Sequence, residues 1–183
     1  NRATKGVYEL GSTFKTFTLA AALDEEIIET ETKFNDLEKK LYCAGNSIEE
    51  YDKKMPSDLT AEEILIRSSN IGTIRIVQKL GIEKYKLFLK KIGILDKIKF
   101  DIEEVGKPIN FKWGKCKLAT SSYGHGITTT PLQLAKAYSI ITNGGYDINP
   151  TLIKNDFNTI SERKRILNSK VSKEINPILR KVV

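Results

Sequence analysis

Ser12 and Lys15 stand three residues apart in the stretch GVYELGSTFKTFTLAAAL, residues 6 to 23. On a helix that spacing puts both side chains on nearly one face, with Cβ atoms about 5 to 6 Å apart, so a hydroxyl and an amine can meet. A serine hydroxyl is a weak nucleophile until a base removes its proton, and lysine can be that base only if its pKa falls toward neutrality. Two local features push it that way: desolvation among Phe14, Phe17 and their neighbours, and the positive end of the helix dipole. The backbone N–H groups at the same helix end favour a developing oxyanion. Serine is also a preferred N-cap and lysine is common on helices, so SxxK taken alone describes a capped helix better than a catalyst.

A second element stands apart from the first, at Ser68-Ser69-Asn70. Thr60, with Glu63 three residues on, reads as a capping box that starts a helix before Ile64 and Leu65. That helix is expected to fail near Ser68. Another restarts with Asn70 as N-cap and carries Ile71, Ile74, Val77 and Leu80 on one face, until Gly81 supplies a left-handed C-terminal residue. Ser68-Ser69-Asn70 is then a turn between helices, where a hydroxyl and an amide can project into a cleft.

The elements that must position these groups are mostly helical. Residues 12 to 23 carry Phe14, Phe17, Ala21 and Ala22 at helical spacing and stop in the acidic run Asp24-Glu25-Glu26. A helix with Ile82, Tyr85, Phe88, Leu89 and Ile92 on one side ends before Gly93. Thr130-Pro131 opens another, because proline at the first helical position loses no useful hydrogen bond, and Asn143-Gly144-Gly145 closes it. Residues 94 to 129 read as irregular, broken by Gly106, Pro108 and Gly114. Residues 146 to 153 suit a short strand, and Val171 to Val183 a weak helix kinked at Pro177.

At 183 residues the chain fits one domain with a real core. It begins with Asn1 rather than Met and reads as a piece of something longer. No leader sequence and no run of about 18 apolar residues occurs, so no membrane segment is expected within it. The net charge is +7, yet the basic pairs Lys39/Lys40, Lys53/Lys54 and Lys90/Lys91 alternate with Glu49/Glu50 and Glu103/Glu104. That mixture suits solvated helix faces rather than a basic stripe, and no nucleic-acid partner is expected. Cys43 and Cys116 lack metal-ligand spacing and one histidine cannot complete a zinc site, so no metal or cofactor is expected, and the redox compartment stays open.

SxxK followed by SSN, in this order and on these elements, is the arrangement of penicillin-binding proteins and serine β-lactamases. The flanks extend the likeness. NRATKGVYELGSTFKTFT, IRSSNIGTIRIVQKLG and YGHGITTTPLQLAKAY resemble the transpeptidase domain of class B penicillin-binding proteins, the second more its cell-division than its elongation branch. The likeness runs from Asn1 to about Asn149.

The resemblance implies a D,D-transpeptidase that crosslinks peptidoglycan stem peptides outside the cytoplasmic membrane and is acylated by β-lactams. Residue by residue, Ser12 would attack the penultimate D-Ala carbonyl, with its own backbone N–H as half of the oxyanion hole. Lys15 would take the proton, Ser68 would pass it toward the leaving D-Ala, and Asn70 would bond Lys15 and the peptide amide. Partners implied for the full-length protein are a membrane glycosyltransferase and division proteins. It also implies a five-stranded sheet flanked by helices, with a helical lobe. Sheet strands lie before SxxK and after a third motif, Lys-Ser/Thr-Gly.

No KTG or KSG occurs in these residues. The GKC at 114 to 116 and the GKP at 106 to 108 precede YGHG, whereas the family motif follows it. The expected fold class is therefore mostly α: the helical portion of the α/β penicillin-binding-protein fold, with most sheet strands absent and its sheet-facing apolar surface exposed or covered. The domain is a partial one spanning 1 to 183. Losing one oxyanion donor alone costs about 10² to 10³ in rate, so the 183 residues by themselves are expected to be nearly inert. The alternative is a non-catalytic module that binds or senses peptidoglycan or β-lactam, or scaffolds division proteins. A β-lactamase is a weaker third reading, since no glutamate-bearing loop of the class A kind follows SSN.

Three further candidates read as structural. His125, between Gly124 and Gly126, belongs to a loop leading to Thr130. Ser121 and Ser122 have no lysine at the SxxK spacing and read as loop residues. Phe111 and Trp113 among lysines suit burial better than a stacking platform.

Overall fold

A computed structural model describes residues 1–109, 111–114, 116–154 and 164–182. Seven α-helices are described: α1 (Lys15–Asp24), α2 (Ala61–Ile66), α3 (Asn70–Leu80), α4 (Ile82–Lys91), α5 (Lys117–Ser122), α6 (Pro131–Thr142) and α7 (Ser169–Lys181). A 3₁₀ turn, Gly11–Phe14, precedes α1. Four short strands complete the set: β1 (Lys33–Phe34), β2 (Lys40–Cys43), β3 (Asn46–Glu49) and β4 (Leu59–Thr60). The expected predominance of helix is what forms.

α1 is the axis of the molecule. Every residue from Lys15 to Leu23 is buried, because the segment is apolar or small on all sides and such a helix belongs in a core. α2, α3, α4, α5 and α7 pack around it. Phe14, Phe17, Ile71, Ile74 and Leu89 are completely buried there. Phe17 sits edge-on between Phe14 and Tyr138, at 5.4 and 5.0 Å between centroids.

The helix ends follow their sequence signals, with a few shifts. Thr60 Oγ1 accepts from Glu63 N at 3.2 Å while Glu63 Oε2 accepts from Thr60 N at 2.9 Å, completing the capping box. We expect Thr60→Ala to lower stability by about 1 kcal/mol, read as an earlier urea midpoint. Gly81 closes α3 at φ +85 and Thr130 caps α6 ahead of Pro131. The cap of α3 is Ser69 rather than Asn70: Ser69 Oγ accepts from Gly72 N at 2.8 Å, and Asn70 is the first helical residue.

Three regions differ from expectation. Residues 117 to 122 form α5 inside the stretch read as irregular, so Ser121 and Ser122 are buried helix residues, their hydroxyls turned onto the carbonyls of Leu118 and Ala119. Residues 146 to 153 hold no named strand; Tyr146 makes one isolated antiparallel bridge with Arg165. The tail helix starts earlier, at Ser169, and contains Pro177; Val183 lies outside the described residues.

Both strand pairs are antiparallel. β1 pairs with β4, with Lys33 opposite Thr60, and β2 pairs with β3 in the register Lys40–Glu49, Leu41–Ile48, Tyr42–Ser47, Cys43–Asn46. Ala44 and Gly45 turn the hairpin at φ +47 and +84, the double left-handed geometry that matches strand twist. A disulfide joins Cys43 on this hairpin to Cys116 just before α5. Some charged side chains pair with a neighbour of opposite sign, as in Lys40–Glu49, Lys84–Glu25 and Lys91–Asp24.

Candidate active site

Ser12 lies in the 3₁₀ turn and is exposed. It is not a cap: Leu10 occupies the cap position without a side-chain bond, and Ser12 offers its carbonyl to Lys15 N–H. None of the described hydrogen bonds engages its hydroxyl, which is therefore presented to solvent at the mouth of α1.

Three segments distant in sequence hold the turn in place. Tyr138 on α6 donates its hydroxyl to Thr13 O at 2.8 Å. Tyr8 exchanges two backbone bonds of 3.0 Å with Thr129. Gly124, at φ +87, lies so close that a Cβ there would stand 2.0 Å from Gly11 O. Only glycine fits this contact, which explains the glycine of the YGHG stretch in physical terms.

Lys15 is the first residue of α1 and only 2 % exposed. Its amine donates to Ser68 O at 2.5 Å and to Ser68 Oγ at 2.9 Å. Desolvation lowers its pKa from 10.5 to about 8, against the opposing pull of the Glu50 carboxylate. At neutral pH about one amine in ten is then unprotonated, far more than for an exposed lysine.

Ser68 adopts φ +54, unusual for a residue with a side chain. Its N–H closes α2 on Leu65 O at 3.0 Å and Ser69 N–H follows on Ile64 O at 2.9 Å. The left-handed residue turns the chain sharply between α2 and α3, where the Ser68 carbonyl and hydroxyl both meet Lys15. Strain of this kind, about 1 to 3 kcal/mol, collects at functional sites.

Of the four expected residues, the structure joins Lys15 to Ser68 directly and puts Ser12 one turn before Lys15 on the same helix axis. Asn70 is placed differently from the expected bond to Lys15: its Nδ2 donates to Glu49 O at 2.9 Å on the hairpin. His125 is exposed, its ring tilted against Tyr123 with centroids 5.0 Å apart. Phe111 and Trp113 are half-buried, 5.0 Å apart, packed against the core. Among the described residues, no three His, Cys, Asp or Glu side chains gather to hold a metal, and no helix is long and apolar enough to cross a membrane.

Sequence reasoning missed Glu50. Its carboxylate accepts from Ser69 Oγ, Asn70 N and Ile71 N at 2.5, 2.8 and 3.0 Å. The available signal was a hairpin pattern: KLYC and NSIE around Ala44-Gly45, ending at Glu50.

As a unit, the group presents an exposed hydroxyl, a buried amine partly neutral near pH 8, and a second hydroxyl bonded to that amine. Such a set can carry a proton from an attacking serine toward a leaving group.

Comparison with known proteins gives the same assignment. The family model "Penicillin binding protein transpeptidase domain" matches residues 1–183. The chain is 32% identical over 181 residues to the probable peptidoglycan D,D-transpeptidase FtsI of Caulobacter vibrioides, covering 98% of this chain and 30% of that protein. It is 30% identical over 197 residues to stage V sporulation protein D of Bacillus subtilis, covering 96% of this chain and 29% of that protein. The chain thus spans under a third of either relative's length.

Among solved structures, the transpeptidase domain of Burkholderia pseudomallei penicillin-binding protein 3 superposes with TM-score 0.90 at 25% identity, over 99% of this chain and 55% of that one. A peptidoglycan glycosyltransferase from Burkholderia ambifaria gives TM-score 0.91 at 26% identity, over 99% and 58%. With the family model matched end to end and SxxK and SSN meeting at Lys15 and Ser68, the chain belongs to the penicillin-binding protein transpeptidase domain family, in its class B branch.

Proposed function

We propose that this chain supplies the nucleophile half of a septal peptidoglycan D,D-transpeptidase, with Ser12 as the acylated residue and β-lactams as its inactivators. The observation that carries the reading is Lys15: a buried amine with a depressed pKa, bonded to Ser68 and one helical turn from an exposed serine.

In this reading the neutral Lys15 amine accepts the Ser12 proton as Oγ attacks the penultimate D-Ala carbonyl. The oxyanion so formed lies near the Ser12 backbone N–H. Collapse breaks the peptide bond, and the proton held by Lys15 reaches the departing D-Ala amine through Ser68. The acyl-Ser12 ester then passes to the amine of a second stem peptide, which restores the serine. Asn70 contributes from the same turn, its side chain oriented by Glu49 O.

The domain assigned to residues 1 to 183 holds SxxK and SSN, and no KTG or KSG occurs in these residues. The enzyme is placed on the outer face of the bacterial cytoplasmic membrane, held by an anchor outside the chain, beside a membrane glycosyltransferase and division proteins. The Cys43–Cys116 disulfide supports that location, because such bonds persist in oxidising compartments. The alternative, a non-catalytic module that binds or senses peptidoglycan or β-lactam, rests on the lack of KTG or KSG in the sequence.

The test is covalent labelling of the full gene product by a fluorescent penicillin. The adduct is expected on the peptide containing Ser12, lost in Ser12→Ala, with a rate that rises with pH to a midpoint near 8 as Lys15 becomes neutral. A Ser12→Ala protein that labels as well as wild type overturns the reading, and a wild-type protein that never labels supports the module.

A further inference from the structure

The SSN turn is held from outside by the end of the β2–β3 hairpin. The first N–H groups of a helix have no partner within it and must find one elsewhere. In α3 each finds one. Ser69 N donates to Ile64 O, Asn70 N and Ile71 N to the two oxygens of Glu50, and Gly72 N to Ser69 Oγ. The Ser69 hydroxyl donates to Glu50, and Asn70 Nδ2 donates to the neighbouring Glu49 carbonyl.

One carboxylate thus binds all three atoms that fix where α3 begins, and a carboxylate is the charge that a helix N-terminus favours. Ser69 and Ile71 are both completely buried, so water is a poor replacement for these bonds. Ser68, next in the chain, is the residue that receives Lys15.

We infer that Glu50 is a positioning residue of the transpeptidase site, delivered by the hairpin to set the Ser68-Ser69-Asn70 turn against Lys15. This assignment rests on the function proposed above. Glu50 does not touch the reacting atoms; it acts through the turn and through its charge.

The charge gives the assignment a distinct signature. Among the described residues, Glu50 is the one charged group with a resolved effect on Lys15, which it opposes desolvation by favouring the ammonium form. Several charged groups on the elements packed around α1 are engaged elsewhere: Asp24 with Lys91, Glu62 with Lys181, Arg75 with Glu38, and Lys117 with Gly126 O; Arg67, at the end of α2, is exposed. The Tyr85 hydroxyl of α4 bonds Thr18 and Ser121 O. Neutralising Glu50 therefore loosens the turn, which slows acylation, and also lowers the Lys15 pKa further, which moves the acid limb of the pH profile to lower pH. A residue with a purely structural role would do the first without the second.

The experiment measures the second-order rate of acylation by a fluorescent penicillin, as a function of pH, for the full gene product and its Glu50→Gln, Glu50→Ala and Glu50→Asp variants. Circular-dichroism melts on the same samples establish that folded protein is compared. Glu50→Ala and Glu50→Gln are expected to lower the plateau rate by about 10- to 100-fold, since small misplacements cost up to about that much. Glu50→Gln also shifts the midpoint to lower pH, and Glu50→Asp recovers part of both effects. If Glu50→Ala melts below the assay temperature, Glu50→Gln and Glu50→Asp, which keep most of the side chain's shape, carry the comparison. Wild-type rate and midpoint in Glu50→Gln overturn the role of Glu50 alone. A wild-type protein that is not acylated at all overturns the proposed function, and this assignment with it.

Discussion

Replacing Lys15 by methionine is expected to slow acylation of Ser12 by about 10²- to 10⁴-fold, the usual contribution of a positioned general base, while leaving the melting temperature nearly unchanged. The two effects separate because Lys15 is costly to the fold. A folded pKa of about 8 against an ordinary 10.5 means that burying the ammonium costs about 3 kcal/mol. The sign follows from the lowered pKa: the cost is fully present below pH 8 and disappears as pH rises from 8 toward the unfolded value.

Methionine fills a similar volume without the charge. It leaves the Ser68 carbonyl and hydroxyl without their donor, a loss of about 1 to 3 kcal/mol. The terms nearly cancel near pH 7. Lys15→Arg is expected to remain inactive, because guanidinium stays protonated and cannot accept the Ser12 proton. In Lys15→Met the residual labelling loses its pH midpoint near 8. Acylation rates across pH, read beside thermal melts, check both halves. Wild-type labelling in Lys15→Met removes the general-base role, and a melting temperature that collapses shows that the amine holds the fold together.

This opposition between stability and chemistry recurs at Ser68, whose left-handed backbone is unfavourable in itself and places two oxygens on the lysine. Sites where local rules are broken in this way are where function is expected.

Much of this was legible in the sequence where one local signal decides one local structure. Thr60 and Glu63 announce a capping box, Thr130-Pro131 a helix start and Gly81 a helix end, and each acts through atoms a few residues away. Motif order and resemblance put Ser12, Lys15, Ser68 and Asn70 in one site but gave the Lys15 bond to Asn70, whereas the amine meets Ser68; spacing alone leaves SxxK as a capped helix.

The rest depends on contacts between distant segments. The hairpin pattern puts Glu50 at the end of a strand but does not reveal that its carboxylate seats a helix start 20 residues later. Asn70 looked like a cap because asparagine is a good one, yet Ser69 takes that place since its hydroxyl can accept from Gly72 and donate to Glu50 together. α5 was hidden because its six residues carry two serines and a threonine, a composition suited to turns, and packing overrides that preference.

The disulfide was equally hidden, and its removal is the other large effect expected. Cys43 and Cys116 are 73 residues apart in sequence. Cross-linking a loop of that size restricts the unfolded chain by about 4 kcal/mol on the chain-entropy account. For a domain of this length that corresponds to a melting temperature lower by roughly 8 to 16 °C in Cys43→Ala/Cys116→Ala or after reduction. The bond also matters locally, because it ties the hairpin that ends in Glu49 and Glu50 to the segment entering α5. Freeing the hairpin removes a restraint on the groups that seat Asn70 and Ser69, so acylation is expected to slow in the same direction as in Glu50→Ala. The Lys15 midpoint should move little, since Glu50 keeps its charge. Thermal melts and penicillin labelling with and without reductant test this together. Equal melting temperatures in the two states show that the staple contributes nothing to stability, and equal labelling rates show that the hairpin holds Glu50 in place without it.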